Sequence, residues 1–321
     1  NNVPVRVDNL VDGGSILSTG AQTYGDAVTL GTHTTIDAGS GAVAFNRTLD
    51  GAFDLALTTT GSVTFSGAIG GVAPLRRLGV NAGSVTLNDS AAVSGGAGSA
   101  IDLLASQFIC IDCSGVAPSP LIASNGAPIT LVANPSGVAG GFSRAIQIAN
   151  ATFDSGSGDI SMTGTGGNSG LNDIGIQMTD VSLHASGGGS ITLTGTGRGP
   201  GGRGLSIVST VPGAGISTVD GDIRFIGTGS GTTSSTLSDD ISWIARDESQ
   251  LRTTGAGQIY MTALGTGDFN GLNLGTSVTP LDYYGPALNQ WHLSTASNFI
   301  VSQLGIAKTA LATRLIVAFV L

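Results

Sequence analysis

Lysine is almost absent from the sequence, with Lys308 its only copy among 321 residues. Charged residues of every kind make up 10% of the chain, and 12 Lys+Arg against 21 Asp+Glu leave a formal net charge of −9. Nucleic-acid binding depends on clustered lysine and arginine that neutralise phosphates. A chain this acidic repels a phosphate backbone, so we expect no nucleic-acid partner.

Aromatic residues are also scarce, at 5%, whereas glycine alone supplies 52 residues. A glycine-rich chain is disordered when it is also poor in aliphatic residues and rich in charge, because it cannot then bury enough apolar surface to offset the loss of chain entropy. Here 40% of the residues are hydrophobic. The composition therefore predicts a folded chain in which glycine serves turns.

Cysteine occurs only twice, as Cys110 and Cys113 in a C-x-x-C arrangement. A redox motif of this kind belongs at a strand-to-helix junction, and a zinc site needs two further ligands. The surrounding sequence offers neither. Two interpretations stay open: a local disulfide formed in an oxidising compartment, or two small apolar side chains.

Long hydrophobic runs are absent as well. The segment 304–321 is apolar but contains Lys308 and Arg314, and its uncharged part, 315–321, is far shorter than the roughly 20 residues of a membrane-spanning helix. We therefore expect a chain that does not span a membrane. It starts at Asn1 without a charged, apolar signal peptide, which indicates a processed form or a fragment.

What the sequence does contain is a short signature that recurs along most of its length: a β-branched apolar residue, any residue, and a large apolar residue. In a strand, alternate side chains point to opposite faces. The outer positions are always apolar, and the middle one is polar or charged in eight copies, so each copy predicts a short strand with one buried face. The copies lie at 28–30, 43–45, 63–65, 85–87, 101–103, 129–131, 160–162, 191–193, 223–225 and 259–261.

The spacing of these copies separates the all-β architectures, because sandwiches need hairpins whereas a solenoid needs one strand of each type per coil. The early copies start 15 to 22 positions apart and the later ones 28 to 36. A third strand, clearest at 181–183, completes the unit. The pattern predicts an all-β, right-handed parallel β-helix (β-solenoid) with roughly three short strands per coil. Second strands follow the later copies at 146–148, 176–178, 205–207, 241–243 and 272–274.

Glycine-rich stretches separate the first and second strands at 164–170, 195–201 and 227–231. Glycine reaches positive φ more readily than other residues, so we expect loops that protrude from one edge of the solenoid. The G-x-G-x-x-G match at 199–204 precedes a strand instead of a helix, so it does not indicate a dinucleotide site.

Three segments follow from the repeat. Residues 1–20 are predicted to form an N-terminal strand or cap, 21–275 the solenoid, and 276–321 a C-terminal coil, cap or subunit-contact segment. Strand edges at the ends of a solenoid are open to pairing with another chain. End-to-end assembly into a filament is therefore an expectation.

The glycine-spaced strands, the Thr/Ser-rich outward positions, the near absence of lysine and the stretch Gln22-Thr-Tyr-Gly-Asp-Ala-Val-Thr-Leu30 resemble the repeat regions of filamentous-haemagglutinin-like exoproteins. Similar repeats occur in autotransporter passengers and other large bacterial β-strand-repeat surface proteins. The resemblance covers residues 20–275. It implies a secreted or surface-exposed adhesin, filament or matrix component whose partners are copies of itself, other surface proteins or glycans.

A polysaccharide-binding or polysaccharide-degrading β-helix is the alternative. Such enzymes gather carboxylates on one outer face. The charged cluster that flanks the strand 241–243 makes Asp240 and Asp247 weak catalytic candidates, but we expect a chain without enzymatic activity. The segment Asp154-Ser-Gly-Ser157 is similar to the nucleophile segment of passenger-domain serine proteases, although Phe153 stands where they have glycine, and a turn is expected there.

Calcium is the one metal that the composition favours, because carboxylates lie beside flexible glycines at Asp159, Asp222 and Asp268. The tandem nonapeptide that binds calcium in β-rolls does not occur, so solvated turn carboxylates are expected and no cofactor is predicted.

Aromatic residues in and after the last repeats are candidate contacts to carbohydrate or a neighbouring subunit. They are Trp243, Tyr283, Tyr284 and Trp291.

Outward threonines such as those at 29, 64, 86, 130 and 192 suggest an ice-binding array. That array needs two threonine columns on one flat face, and the sequence pairs only Thr192 with Thr194, so ordinary exposed β-branched residues are expected.

Overall fold

The computed structural model describes residues 9–113, 119–137, 144–167, 173–199, 201–230, 240–245, 251–265, 272–276, 291–295 and 316–319. Within them every regular element is a β-strand, and each strand pairs in parallel with at least one strand of a neighbouring coil. The chain is therefore an all-β parallel solenoid, as the repeat predicted. Among the described residues there is no helix of the length and apolar character that crossing a membrane requires.

Face 1 is a continuous parallel sheet that receives one strand from each coil. Two strands, β10 (Arg77–Leu87) and β12 (Ala100–Ile111), run on past the corner into the second face. The strands of face 1 are β2 (Ser15–Leu17), β5 (Thr34–Asp37), β8 (Asp54–Thr58), the first halves of β10 (Arg77–Leu87) and β12 (Ala100–Ile111), β14 (Ile129–Ala133), β17 (Ile160–Thr165), β20 (Ile191–Thr196), β23 (Ile223–Thr228), β26 (Ile259–Ala263), β28 (Trp291–Thr295) and β29 (Ile316–Phe319).

Face 2 follows face 1 in each coil and is joined to it through β10 and β12. Its strands are β3 (Gln22–Tyr24), β6 (Val43–Phe45), β9 (Ser62–Phe65), the second halves of β10 and β12, β15 (Arg144–Ala149), β18 (Ile174–Thr179), β21 (Leu205–Val208), β24 (Ile241–Ala245) and β27 (Leu272–Thr276).

Face 3 closes the triangle with the shortest strands. Single bridges from Ile69 to Leu49 and to Ala91 carry the ladder across the coil that has no full strand here. The strands are β1 (Asn9–Val11), β4 (Val28–Leu30), β7 (Leu49–Asp50), β11 (Ala91–Ala92), β13 (Leu121–Ala123), β16 (Thr152–Asp154), β19 (Ser182–Ala185), β22 (Ile216–Thr218) and β25 (Leu251–Thr253).

A single apolar core runs along the axis between the three faces. Inward residues of successive strands stack in register, as in the face 1 column formed by Ile129, Ile160, Ile191, Ile223 and Ile259. Near the N-terminal end the aromatic rings of Tyr24, Phe45 and Phe65 stack on one another, with centroids 4.5 and 5.1 Å apart. Each coil is thus stabilised mainly by its two neighbours.

The ten signatures do not form one column, contrary to the simplest interpretation of their spacing. The copy at 28–30 lies on face 3, those at 43–45, 63–65 and 85–87 lie on face 2, and the last six lie on face 1. The triplet indicates a half-buried strand on any of the three faces. The short early intervals therefore include steps between strands of different faces. The second strands at 176–178 and 205–207 are confirmed on face 2, and 181–183 leads into β19 on face 3.

Strands also occur in the two segments predicted to flank the solenoid. Strands β1 and β2 belong to the first coil, inside 1–20, the segment predicted as an N-terminal strand or cap. At the other end β28 and β29 continue face 1 within 276–321. Residues 1–8, at the start of the first of these segments, lie outside the described residues.

The glycines at 164, 195 and 227 lie inside face 1 strands and point to the core, although the sequence predicted loops there. None has a positive φ. A Cβ on Gly195 would lie 2.0 Å from the carbonyl oxygen of Gly204. A Cβ on Gly164 would lie 2.3 Å from the carbonyl oxygen of Gly175, and one on Gly227 would lie 2.2 Å from that of Asp240. These glycines therefore provide space where the end of face 1 meets the start of face 2.

The corner between faces 3 and 1 is lined by a ladder of buried hydroxyls. Each donates to a carbonyl oxygen three or four residues later in its own turn. The pairs are Ser124 to Ala127 (2.5 Å), Ser155 to Gly158 (2.6 Å), Thr218 to Gly221 (2.6 Å) and Thr253 to Gly257 (3.0 Å). Because buried polar groups need partners, these hydroxyls stabilise the turns from inside.

Candidate functional site

The outer side of face 3 carries a column of four polar side chains from successive coils. Asp154 of β16 pairs with His184 of β19, which pairs with Ser217 of β22, which pairs with Arg252 of β25. Each follows an inward residue of its strand, so the alternation of a β-strand places all four on the outer side. The parallel ladder brings them together although about 30 residues separate each from the next.

Three of these residues, His184, Ser217 and Arg252, line a depression together with the segment 213–216. The Nδ1 atom of His184 lies 2.8 Å from the Oγ atom of Ser217. Arg252 is exposed, and no carboxylate of the described residues lies within ion-pair distance of its guanidinium. The depression therefore presents a cation and two hydrogen-bonding groups on a chain of net charge −9.

Burial lowers the pKa of His184 below its ordinary value of 6.5, Asp154 opposes this by attracting the charged form, and Arg252 adds to it by repulsion. The imidazole is consequently neutral near pH 7. Together with Arg252 and Ser217, it can hydrogen-bond a carboxylate or the hydroxyls of a sugar.

The column is not a serine-hydrolase triad. Catalysis by that route needs a carboxylate that hydrogen-bonds the histidine and fixes its tautomer. The Oδ1 atom of Asp154 instead accepts the amide of Gly156 at 2.9 Å, and within the described residues Asp154 makes no hydrogen bond to His184. The arrangement of the four side chains in the column suits ligand binding.

The catalytic candidate Asp240 is buried where the end of face 1 meets the start of face 2, a place that we call the neck. Its Oδ1 atom accepts the amide of Gly229, and its Oδ2 atom accepts the amide of Gly265 at 2.9 Å. Both oxygens are thus engaged by backbone, which is the environment of a structural carboxylate. Asp247 lies outside the described residues.

Two of the three calcium candidates lie at the corner that leads into face 1. Asp159 accepts the amide of Ser190 at 2.8 Å, and Asp222 accepts the amide of Gln258 at 2.9 Å and pairs with Arg224. Their carboxylates link one coil to the next. Among the described residues no group of three or more His, Cys, Asp or Glu side chains is placed to hold a metal ion. Asp268 is outside the described residues.

Cys110 and Cys113 form a disulfide at the end of face 2, with their Cα atoms 5.9 Å apart. This is the first of the two alternatives left open by the sequence. Ser155, in the protease-like segment, lies in a turn and is fully buried, and its hydroxyl donates to Gly158, so it is not a nucleophile.

Trp243 is a core residue, and its prediction as a contact residue is wrong. It is 1% exposed and stacks on Phe225 with ring centroids 5.8 Å apart. The inward alternation of β24 buries it, because its strand position matches that of Ile207 in the coil before. Tyr283 and Tyr284 lie outside the described residues, and Trp291 pairs with Ile259 in the face 1 register.

Sequence reasoning missed His184, Ser217 and Arg252 because coil length varies and no fixed period joins them. The only signal is that each is the residue after an inward aliphatic residue of a third strand. Third strands are the shortest and weakest of the pattern, so this signal appears once the register is known. Comparison with known protein families, curated proteins and solved structures found no match to this chain.

Proposed function

We propose that this chain is a structural and adhesive module, secreted to or exposed at a bacterial cell surface. The observation that carries the proposal is the three-faced ladder of the described residues, which makes the chain a stiff spacer with long outer surfaces and few charges. Its partners are copies of itself, other surface proteins or glycans. The resemblance to filamentous-haemagglutinin-like repeats points in the same direction.

The disulfide between Cys110 and Cys113 supports the proposed location. Disulfides persist in secreted and surface-exposed proteins and are rare in the reducing cytosol. A chain that works outside the cell also gains from buried, backbone-satisfied polar groups such as Ser155, because these hold its turns without a cofactor.

End-to-end assembly is part of the proposal. Among the described residues β1, β2 and β3 each pair with a strand on one side only, namely β4, β5 and β6. A free strand edge is a template for pairing with another chain. Electron microscopy of the purified chain should show rods joined end to end, and dispersed single rods at every concentration would argue against assembly.

Adhesion is tested with beads that carry the chain through an engineered terminal tag, passed over surfaces coated with the same chain or with polygalacturonate. Retention under flow that exceeds that of beads carrying serum albumin is expected. Absence of retention on both surfaces, together with release of oligosaccharides from the polysaccharide, would replace this proposal with an enzymatic one.

Polysaccharide binding is the second candidate, and the face 3 depression with Arg252, His184 and Ser217 favours it. A guanidinium that no carboxylate of the described residues pairs suits the carboxylates of acidic sugars. Binding of polygalacturonate should weaken in Arg252→Gln and persist in Arg47→Gln, which changes another exposed arginine. Equal loss in both variants would mean non-specific attraction to positive charge.

A further inference from the structure

The middle of face 1 carries an ordered plane of hydroxyls. Strands β17 and β20 pair residue for residue over six positions, from Ile160 opposite Ile191 to Thr165 opposite Thr196. Every second residue of each strand is outward and half-buried by its neighbours. We call this set the threonine plane: Ser161, Thr163 and Thr165 from β17, and Thr192, Thr194 and Thr196 from β20.

The neighbouring coils extend the plane with side chains of similar shape. In the coil before, Thr130 and Val132 pair with Ser161 and Thr163. In the coil after, Ile226 and Thr228 pair with Thr194 and Thr196. The plane therefore spans several coils and three columns, and β-branched side chains supply nearly all of it.

The hydroxyls of the threonine plane differ from those in the corners. The corner hydroxyls, such as those of Ser155 and Thr218, donate to carbonyl oxygens of the protein. None of the six hydroxyls of the plane makes a hydrogen bond to another described residue. Their hydrogen-bonding partners therefore lie outside the described residues.

The positions of these hydroxyls are fixed in two directions. Neighbouring strands lie about 4.8 Å apart, and outward residues of one strand recur every 6.4 to 6.8 Å or so along it. Threonine is β-branched and stiff at χ1, so each hydroxyl and methyl group holds its place. The result is a rigid lattice that alternates donors and acceptors with apolar groups.

A rigid lattice of this kind suits an ordered layer of water. Each hydroxyl can hold a water molecule by donating and accepting, while the methyl groups between columns restrict how the neighbouring waters orient. Immobilising a water molecule costs up to about 2 kcal/mol of entropy. Water in a crystalline partner is already immobilised, so binding such a partner does not add this cost.

Other occupants fit the plane less well. The six positions carry no charge, so an ionic ligand finds no counter-ion on them. Aromatic stacking with a sugar ring needs an open ring face. Phe225, which pairs with Leu193, is buried in the core, and the outward ring of Tyr260 has the guanidinium of Arg224 over it at 4.2 Å. Arg224 and Tyr260 pair with each other beyond Thr192 and limit the plane on that side.

We infer that the threonine plane of face 1 binds the surface of ice. The inference goes beyond the proposed adhesive function, because it names a flat crystalline partner and the side chains that meet it. The sequence alone paired only Thr192 with Thr194 within one strand. The register adds Thr163 and Thr165 of the coil before, and these complete the second and third columns.

The experiment measures thermal hysteresis and inhibition of ice recrystallisation by the purified chain. The wild type should shape ice crystals and inhibit recrystallisation. Thr194→Lys, at the centre of the plane, should reduce both signals to the level of buffer, because the long cation displaces the water layer. Thr194→Val keeps the methyl groups and should retain part of the activity.

The matched control is Thr64→Lys, which changes an outward threonine of face 2 that pairs with Thr86. It should leave ice activity unchanged, and both lysine variants should unfold at the wild-type temperature. A wild-type chain without hysteresis or recrystallisation inhibition would overturn the inference, as would equal loss in Thr64→Lys and Thr194→Lys. Bead adhesion to the protein or polysaccharide surface is scored separately, so failure here leaves the proposed function standing.

Discussion

The Nδ1 atom of His184 and the Oγ atom of Ser217 lie 2.8 Å apart although 33 positions separate the residues in the sequence. Their contact exists because β19 and β22 stack in register on face 3. In a solenoid, residues one coil apart are cross-strand neighbours. A site is therefore formed by side chains of successive coils that lie next to one another along the solenoid axis.

The first prediction concerns pH. Burial lowers the pKa of His184 in the folded chain, so the unfolded chain, titrating near 6.5, binds more protons as the pH falls through that value. Stability should therefore decrease on acidification below about pH 6.5 and level off once the folded histidine also protonates.

Denaturant unfolding of wild type and His184→Gln between pH 5 and 7.5 isolates this effect, because His33 and His292 are common to both chains. The variant should lose part of the acid sensitivity. A stability difference between the two chains that stays constant with pH would contradict the prediction.

The second prediction concerns space at the neck between faces 1 and 2. Gly195→Ala places a Cβ 2.0 Å from the carbonyl oxygen of Gly204, so backbone must move. We expect a loss of about 1–3 kcal/mol in the free energy of unfolding, as for overpacked sites. Gly188→Ala is the matched control, since its Cβ meets nothing within 4 Å. Equal stability of the two variants would show that the neck yields easily.

The third prediction separates structure from catalysis at Asp240. Asp240→Asn replaces one of the two oxygens that accept the amides of Gly229 and Gly265. Leaving a buried amide without a partner costs about 1–3 kcal/mol. Asp12→Asn, at an exposed position, should cost nothing measurable. Loss of glycan turnover in Asp240→Asn without a change in the melting temperature would instead indicate an enzyme.

The fourth prediction compares two leucines of face 1 that lie two coils apart. Leu57 is 1% exposed in the core, whereas Leu17 is 78% exposed. Leu57→Ala should lower the free energy of unfolding by about 2–5 kcal/mol, because it removes buried methyl groups and leaves a cavity. Leu17→Ala should change it little. Similar losses in both variants would mean that Leu17 packs against another part of the chain or another copy.

Much of the fold was predictable from the sequence. The alternation of apolar and polar residues in triplets such as 160–162 and 191–193 depends only on the strand period, so it predicted strands, their buried faces and the solenoid. The same period gave the second strands of face 2, which the register confirms at 176–178. Local geometry was enough for these conclusions.

The tertiary structure alone decided which residues become neighbours. The triplet is shared by all three faces, so only pairing could place the copy at 28–30 on face 3 and bury Trp243. Position 195 requires glycine because the carbonyl oxygen of Gly204 approaches it closely, and no local propensity predicts that approach.

The sequence by itself therefore determined most of the strands and the all-β class, because these depend on contacts within a few residues. The column of His184, Ser217 and Arg252 and the plane around Thr194 were decided by the tertiary structure. The physical reason is that variable loops separate the strands, so the register is fixed by stacking of buried side chains and not by distance along the chain.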